Sequence, residues 1–435
     1  MPGTSFVYRT AMRLGRLCLP AVALVQPKLR HGHAARAGVL ARLRDWAAVS
    51  RDPARPLVWF HAPSVGEGLQ ADAVIRRLRV LRPSWQIAYT FFSPSAEALA
   101  RRLAVDVADY LPYDLPAAAE SMLDLIKPEL LVFTKLDLWP ELATRAAARG
   151  IPVSLIAGTV RPHSGRLGWP MARLLEPGYR SLALVAAIDA ADGDRLLRLG
   201  APRERLMVAG DPRFDSVLDR VRAVPGGDPL LQLGAGASTM VAGSTWPGDE
   251  DVLLDALTRL QDHPSRPRLI LVPHEPTETR LKEITWSATK RGLPTPERLS
   301  RLAADRSSGP LLLVDRVGVL ATLYGAGTMA YVGGGFHRAG LHSVLEPAAW
   351  GVPVAFGPRW RESRDATLLI EAGGAESVGT ATQGDGKPLL EVWESWLRDD
   401  RRRATQGETA RRVVEQGAGA AARLANALVE LVRRD

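Results

Sequence analysis

From Leu57 onward, short apolar runs alternate with amphipathic segments, stop at a Pro/Gly-rich stretch, and then begin again. No other feature of the 435-residue chain constrains its fold as much. Residues 57–62 read as a strand, and 67–81 as a helix with Leu69, Ala73, Ile75, Leu78 and Val80 at its apolar positions. Residues 86–91 form the next strand, and Ser93-Pro94 starts a helix with proline at its first position. Strands at 130–133 and 152–157 bracket a helix at 140–149 that ends on Gly150, and 182–188 and 206–209 extend the series. Runs this short and this apolar fit a parallel sheet covered on both faces by helices.

Val224-Pro-Gly-Gly-Asp-Pro229 breaks both periodicities together, which marks a linker. Apolar runs then resume at 240–242, 269–272, 311–314, 329–332 and 352–356, and an arginine-rich helical tail fills 399–435. The chain reads as α/β, with two Rossmann-like doubly wound domains and a cleft between them. A basic, apolar N-terminal segment (1–50) precedes a first domain (51–223), the linker (224–229) and a second domain (230–435) that carries the C-terminal helices. In open parallel sheets, ligands bind beyond the carboxyl ends of the strands. The candidate site motifs below directly follow strands.

The richest motif is Tyr331-Val-Gly-Gly-Gly-Phe-His-Arg-Ala-Gly-Leu-His-Ser-Val-Leu-Glu-Pro347. Glycines let a ligand approach the main chain, because no Cβ stands in the way. A helix opening near His342 would aim free N–H groups and a positive dipole end at a phosphate. Glu346 is placed to accept from sugar hydroxyls, so the parts describe a nucleotide-sugar pocket built from Gly334, Gly335, Gly340, His342, Ser343 and Glu346. Ser244 and Thr245, at the end of another strand, add hydroxyls for the phosphate or sugar, and His274 ends a third strand. Ser343-Val-Leu-Glu346 also fits the S-x-x-E capping box, in which both side chains serve only the helix terminus. Both readings stand on sequence.

His61-Ala-Pro-Ser-Val-Gly-Glu-Gly68 presents the same choice. If the chain transfers a group to a hydroxyl, Glu67, in the first turn after a strand and Gly66, is placed to take the hydroxyl's proton, with Ser64 and Gly66 on the acceptor side; spacing alone favours capping. A helix N-terminus favours its ionised form. Ser64-Val-Gly-Glu67 is again S-x-x-E.

Several function classes are excluded. The single Cys18 rules out an internal disulfide framework and a Cys-built zinc site, and suits a reducing compartment. No Asp-x-Asp or His-Glu-x-x-His pair calls for a metal, and no other cofactor is implied. Gly325-Ala-Gly-Thr-Met-Ala330 matches a dinucleotide fingerprint, but a helix-like 317–324 precedes it and a strand follows, the reverse of the required order. The excess of 56 Lys and Arg over 47 Asp and Glu, a net +9, points to a polyanionic partner. Nucleic acid is not that partner, because zinc-finger spacing, RNP aromatics and a basic coiled coil are all missing. The apolar stretch 14–25 falls short of the ~20 residues that span a bilayer, and no small-residue cleavage site follows it. Ringed by Arg9, Arg13, Arg16, Lys28, Arg30, Arg36, Arg42 and Arg44, it suits an anionic membrane surface.

In order and spacing, His61–Gly68, Gly243-Ser-Thr245, Val272-Pro-His274 and the glycine–Glu346-Pro347 segment resemble the Kdo transferases, which add 3-deoxy-D-manno-octulosonic acid to lipid A precursors. Leu111-Pro-Tyr-Asp-Leu-Pro116, Leu138-Trp-Pro140 and Gly357-Pro358 extend the likeness over most of the chain. The resemblance implies a GT-B fold with the donor held mainly by the second domain. It also implies an inverting, metal-independent transfer from CMP-Kdo to a lipid IVA-type phosphorylated glycolipid at the cytoplasmic face of the bacterial inner membrane. The glutamate of the family's Ser-x-Gly-Glu motif, its base, corresponds to Glu67.

Four departures touch the expected site. Pro273-His-Glu275 stands for Pro-Arg-His, Gly340-Leu-His-Ser343 for Gly-Gly-His-Asn, Lys135-Leu-Asp-Leu-Trp-Pro140 for Glu-Thr-Glu-Leu-Trp-Pro, and Gly158-Thr-Val160 for Asn-Ala-Arg. They leave two alternatives open: another GT-B glycosyltransferase using a UDP- or GDP-linked sugar, and a non-catalytic scaffold that binds envelope lipid. Keeping Gly66-Glu67 together with Glu346 argues against the scaffold.

Overall fold

The computed structural model describes residues 4–302, 309–379 and 384–432. Of the segment expected to meet a membrane, residues 1–3 and the side chains of 19–25 and Lys28 lie outside the described residues, as do 433–435 of the tail. Contacts divide the chain into two units. The first runs to Ser216 and takes back the chain from Ala418 onward; the second is Val217–Gly417. Residues 224–229 fall inside the second unit.

The first unit is built on β1 (Leu57–His61), β2 (Gln86–Phe91), β3 (Val107–Tyr110), β4 (Leu130–Thr134), β5 (Val153–Gly158), β6 (Leu184–Ala187) and β7 (Leu206–Val208). They pair in the order β3-β2-β1-β4-β5-β6-β7, all parallel. β1, β2, β4 and β5 are buried at every position, as a sheet covered on both faces requires. Trp59, Phe60 and Phe133 are wholly buried there, and burial of a side chain of this size stabilises by about 1.5–3 kcal/mol. Neighbouring strands lead away in opposite directions from the β1/β4 boundary, which makes it the switch point of the sheet.

The tail helix Ala420–Val432 belongs to this unit. Leu424 and Leu428, one turn apart and fully buried, join its core. Asp215 caps the helix, accepting from the N–H groups of Gly419 at 2.9 Å and Ala421 at 3.1 Å.

At the other end of the chain, the helix Phe6–Val25 is tied down through its polar face. Thr4 and Arg9 bond the fully buried Glu141, and Tyr8 donates to the buried Asp114 at 2.7 Å. Burial pushes the Asp114 carboxyl up to about 6, against the hydrogen bonds from Tyr8 and the main chain. Arg36 is stacked over Phe92 at 3.7 Å. Phe6, Val7, Leu14 and Leu17 stay exposed. Their spacing puts them on one helical face. Among the described residues, no helix is long and apolar enough to cross a membrane.

The second unit repeats the plan with β8 (Thr239–Thr245), β9 (Arg268–Pro273), β10 (Glu297–Arg298), β11 (Leu311–Leu313), β12 (Met329–Val332), β13 (Val354–Phe356) and β14 (Ala375–Ser377). Their order is β10-β11-β9-β8-β12-β13-β14, again parallel, with the switch point between β8 and β12. Ahead of β12, a short helix (Leu320–Leu323) and a 3-10 turn (Tyr324–Ala326) confirm that the Gly325–Ala330 motif is a helix stop, not a dinucleotide loop.

Candidate active site

In the first unit, the switch point brings together the loops that follow β1 and β4. β1 leads through Ala62 and Pro63 into the helix Val65–Leu81, whose N-cap position is Ser64. The Ser64 hydroxyl does not cap that helix; it donates to Glu67 Oε2. Glu67 Oε1 accepts from Lys135 Nζ at 2.7 Å, and the Glu67 side chain is 13% exposed. The capping-box reading of 64–67 therefore fails, because the two side chains bond each other. Burial raises the Glu67 carboxyl, but the Lys135 ammonium and the Ser64 hydroxyl outweigh it and hold the group below its ordinary range. Glu67 is an ordered carboxylate at neutral pH. A side chain added at Gly66 would meet nothing within 4 Å, so packing does not demand glycine there.

Beside this pair, His61 is fully buried at the end of β1 and Nδ1 shares a hydrogen bond of 3.0 Å with Thr90 Oγ1. Its Nε2 lies 3.7 Å from Asp137 Oδ2, too long for a hydrogen bond. Burial raises the Asp137 carboxyl; His61, Trp139 and Arg166 more than reverse the effect.

In the second unit, the loops after β8 and β12 meet at the other switch point. The three glycines after β12 are explained by main-chain packing. A Cβ at Gly333 would lie 2.3 Å from Ser244 O, one at Gly334 2.3 Å from Gly340 O, and one at Gly335 2.5 Å from Gly357. Gly334 has φ +96° and Gly340 φ +86°, so both ends of that contact use left-handed backbone.

Asp249, absent from the sequence-based candidates, organises this region. It is buried in the first turn of the helix Pro247–Arg259 and accepts from Trp246 N–H, Gly334 N–H and Tyr331 O–H, each at 2.9 Å. Burial pushes its carboxyl up despite these bonds. Thr245 Oγ1 donates to the buried Glu250 at 3.0 Å, and Glu250 also pairs with Arg280. Pro247 at the first helical position with Asp249 two residues on is a helix-start signal visible in sequence. Nothing local, however, points Asp249 at Gly334.

Four rings stack in front of the loop. His337 lies on Trp246 with centroids 3.9 Å apart and planes 3° off parallel, and His274 lies at 4.8 Å from the same indole. Trp246 Nε1–H donates to His342 Nε2 at 3.0 Å. Burial, then the neighbouring His274 and His337, lower the His342 imidazole to about 4. The ring is thus neutral at pH 7, and because Nε2 accepts, its proton sits on Nδ1.

Two expectations need correction. The helix after the glycine loop does not open at His342; it spans only Leu345–Ala349, with Val344 at its N-cap. The expected free main-chain donors are also in use, since Gly334 N–H is held by Asp249 and His342 N–H by Gly333 O at 3.1 Å. A buried carboxylate, not a ligand, satisfies the loop. Ser343 is exposed and does not cap, and Glu346 Oε1 instead accepts from Arg220 at 2.8 Å.

Two parallel, seven-stranded Rossmann-like units make up the GT-B architecture. The UDP-GlcNAc 2-epimerase of Neisseria meningitidis, solved bound to UDP-GlcNAc, has the same fold, with a TM-score of 0.57 over 83% of this chain and 99% of that one. At 14% identity the likeness is one of fold alone. The family model described as 3-deoxy-D-manno-octulosonic-acid transferase (kdotransferase) matches residues 34–216. The 3-deoxy-D-manno-octulosonic acid transferase of Bordetella pertussis is 30% identical over 408 residues, covering 90% of this chain and 91% of that protein. That of Haemophilus influenzae is 25% identical over 87% of this chain and 88% of its own length. The chain is a GT-B glycosyltransferase. It belongs to the 3-deoxy-D-manno-octulosonic acid (Kdo) transferase family.

Proposed function

We propose that this enzyme moves Kdo from CMP-Kdo to a lipid IVA-type phosphorylated glycolipid, with inversion at the anomeric carbon and Glu67 as the base. The supporting observation is the Glu67 carboxylate, ionised and held by Lys135 and Ser64 at the switch point of the first sheet. The acceptor hydroxyl gives its proton to Glu67 as its oxygen forms the new bond to the anomeric carbon. The bond from that carbon to the phosphate oxygen breaks, and CMP leaves with the electron pair. The donor falls to the second unit, at Ser244, Thr245, His274, Gly334, Gly335, Gly340, His342, Ser343 and Glu346. Purified protein given radiolabelled CMP-Kdo and lipid IVA should yield labelled lipid. Transfer from a UDP- or GDP-sugar instead would overturn the choice of donor.

Glu346 is assigned to the ribose hydroxyls, with Arg220 holding its carboxylate in place. The pair is partly exposed, so losing it should cost at most about 1 kcal/mol. Glu346→Ala should therefore weaken CMP binding at least ~10-fold, as losing a charged hydrogen-bond acceptor does, with the nucleotide-free melting temperature little changed. Unaltered CMP affinity would leave Glu346 as no more than Arg220's partner.

The exposed face of Phe6, Val7, Leu14 and Leu17, edged by the exposed Arg13 and Arg16, is assigned to the anionic cytoplasmic leaflet of the inner membrane. Deleting the segment would take Thr4 and Arg9 from the buried Glu141 and Tyr8 from the buried Asp114, so side-chain replacement is the cleaner test. Changing these four residues to serine should move the protein from the pellet of anionic liposomes to the supernatant. Unchanged pelleting at low and high salt would refute the assignment.

A further inference from the structure

We infer that Lys135 is a positioning residue for Glu67, aiming the carboxylate and keeping it available to accept a proton. This inference rests on the reading of Glu67 as the base. Lys135 is the first residue after β4, and its N–H continues the sheet hydrogen bonding to Ile156 O at 2.8 Å. Its φ is +67°, a left-handed conformation that glycine or asparagine adopts far more readily than lysine. An ion pair with a lysine 42% exposed contributes little to stability. Stability therefore accounts for neither the strain nor the choice of side chain, and a strained residue at a switch point belongs to function.

The geometry supplies that function. The left-handed turn carries the lysine from the end of β4 across the switch point to the helix after β1. Lys135 Nζ takes Glu67 Oε1 and the Ser64 hydroxyl takes Oε2, so the carboxylate plane is fixed from both sides. A carboxylate offers about four lone-pair directions, and Lys135, Ser64 and the Glu67 main-chain N–H engage three, which leaves one for an acceptor hydroxyl. Once the acceptor proton has moved to Glu67, the adjacent ammonium disfavours the neutral acid, and the proton passes on to solvent. Among the described residues, Tyr89 of β2 also senses Glu67; burial, then Glu67 and Asp72, raise its phenol, so it stays neutral. Asp137, two residues beyond Lys135, faces Arg166 at 3.8 Å and His61 at 3.7 Å. Lys135 is thus the cation that holds Glu67 ionised.

The test compares Lys135→Met and Lys135→Arg with Glu67→Gln and the Glu67→Gln/Lys135→Met double variant. The readouts are kcat, both KM values and the pH profile of transfer, with melting temperatures to verify folding. A misaimed catalytic group costs about 10²-fold, so Lys135→Met should lose that much kcat at unchanged donor KM. Burial then acts on Glu67 without its cation, the carboxyl rises, and the acid limb of the profile moves to higher pH. Lys135→Arg should restore most of the rate. In the Glu67→Gln background, Lys135→Met should cost nothing further, because the two residues act as one unit. An unmoved acid limb, or a rise in acceptor KM alone, would overturn the inference and make Lys135 a contact for the acceptor's anion. If Glu67→Gln abolishes transfer while Lys135→Met is normal, only the role of Lys135 fails. If Glu67→Gln is near normal, the base itself was misassigned.

Discussion

Glu67→Gln should lower the turnover of Kdo transfer by at least ~100-fold, the lower end of what a positioned general base contributes, while CMP-Kdo binding persists. Gln keeps the shape of the side chain, and its carbonyl oxygen can still accept from Lys135 or from Ser64. It cannot take a proton at neutral pH. The lost ion pair is partly exposed, so the stability change should stay within about 1 kcal/mol. Transfer rate and melting temperature, measured on one purified variant, separate the roles. A near-normal rate would move the search to the neighbouring acids and bases. His61 is fully buried, and His163 is exposed on a loop. Asp137 lies between them in accessibility and would be the next candidate, although His61, Trp139 and Arg166 already engage it.

Asp249→Ala should destabilise the second unit strongly. It strands two main-chain N–H groups, of Trp246 and Gly334, and the hydroxyl of the fully buried Tyr331. A buried donor left without a partner costs about 1–3 kcal/mol, so the total should reach about 3 kcal/mol or more. The glycine loop is pinned to the end of β8 through this carboxylate, and donor binding should fall with it. Chemical denaturation and CMP titration of the same variant would measure both. A stable variant with a lowered CMP affinity would mean that water replaces the carboxylate. A stable variant with normal affinity would show that the main-chain packing of Gly333, Gly334 and Gly335 holds the loop unaided.

The interior strands were legible in the sequence. The run at 86–91 coincides with β2, that at 329–332 with β12, and 57–62 overruns β1 by one residue. Each is a buried strand whose apolar run is its signal. β3 and β14 left no such run, because both lie at sheet edges and are partly exposed. Glu67 and the glycine loop were legible as strand–turn–helix and strand–loop motifs, and the structure sets both at switch points. The glycines were noted for a different reason from the one the structure provides: close approach of Ser244, Gly340 and Gly357, backbone against backbone. Lys135 stood out only as a departure from the family pattern.

The alternation of apolar runs and amphipathic segments was enough to determine two parallel sheets and to put the chemistry-bearing residues at strand ends. Periodicity and turn chemistry act within a few residues, so they can be read locally. Which charges meet was decided by the tertiary structure alone. Lys135 reaches Glu67 across 68 residues, Asp249 reaches Gly334 across 85, and Arg220 reaches Glu346 across 126. Strand order sets the first two meetings by laying β4 beside β1 and β12 beside β8. Strand order follows from how the helices cover the whole sheet, a global balance of buried surface that no short stretch of sequence carries.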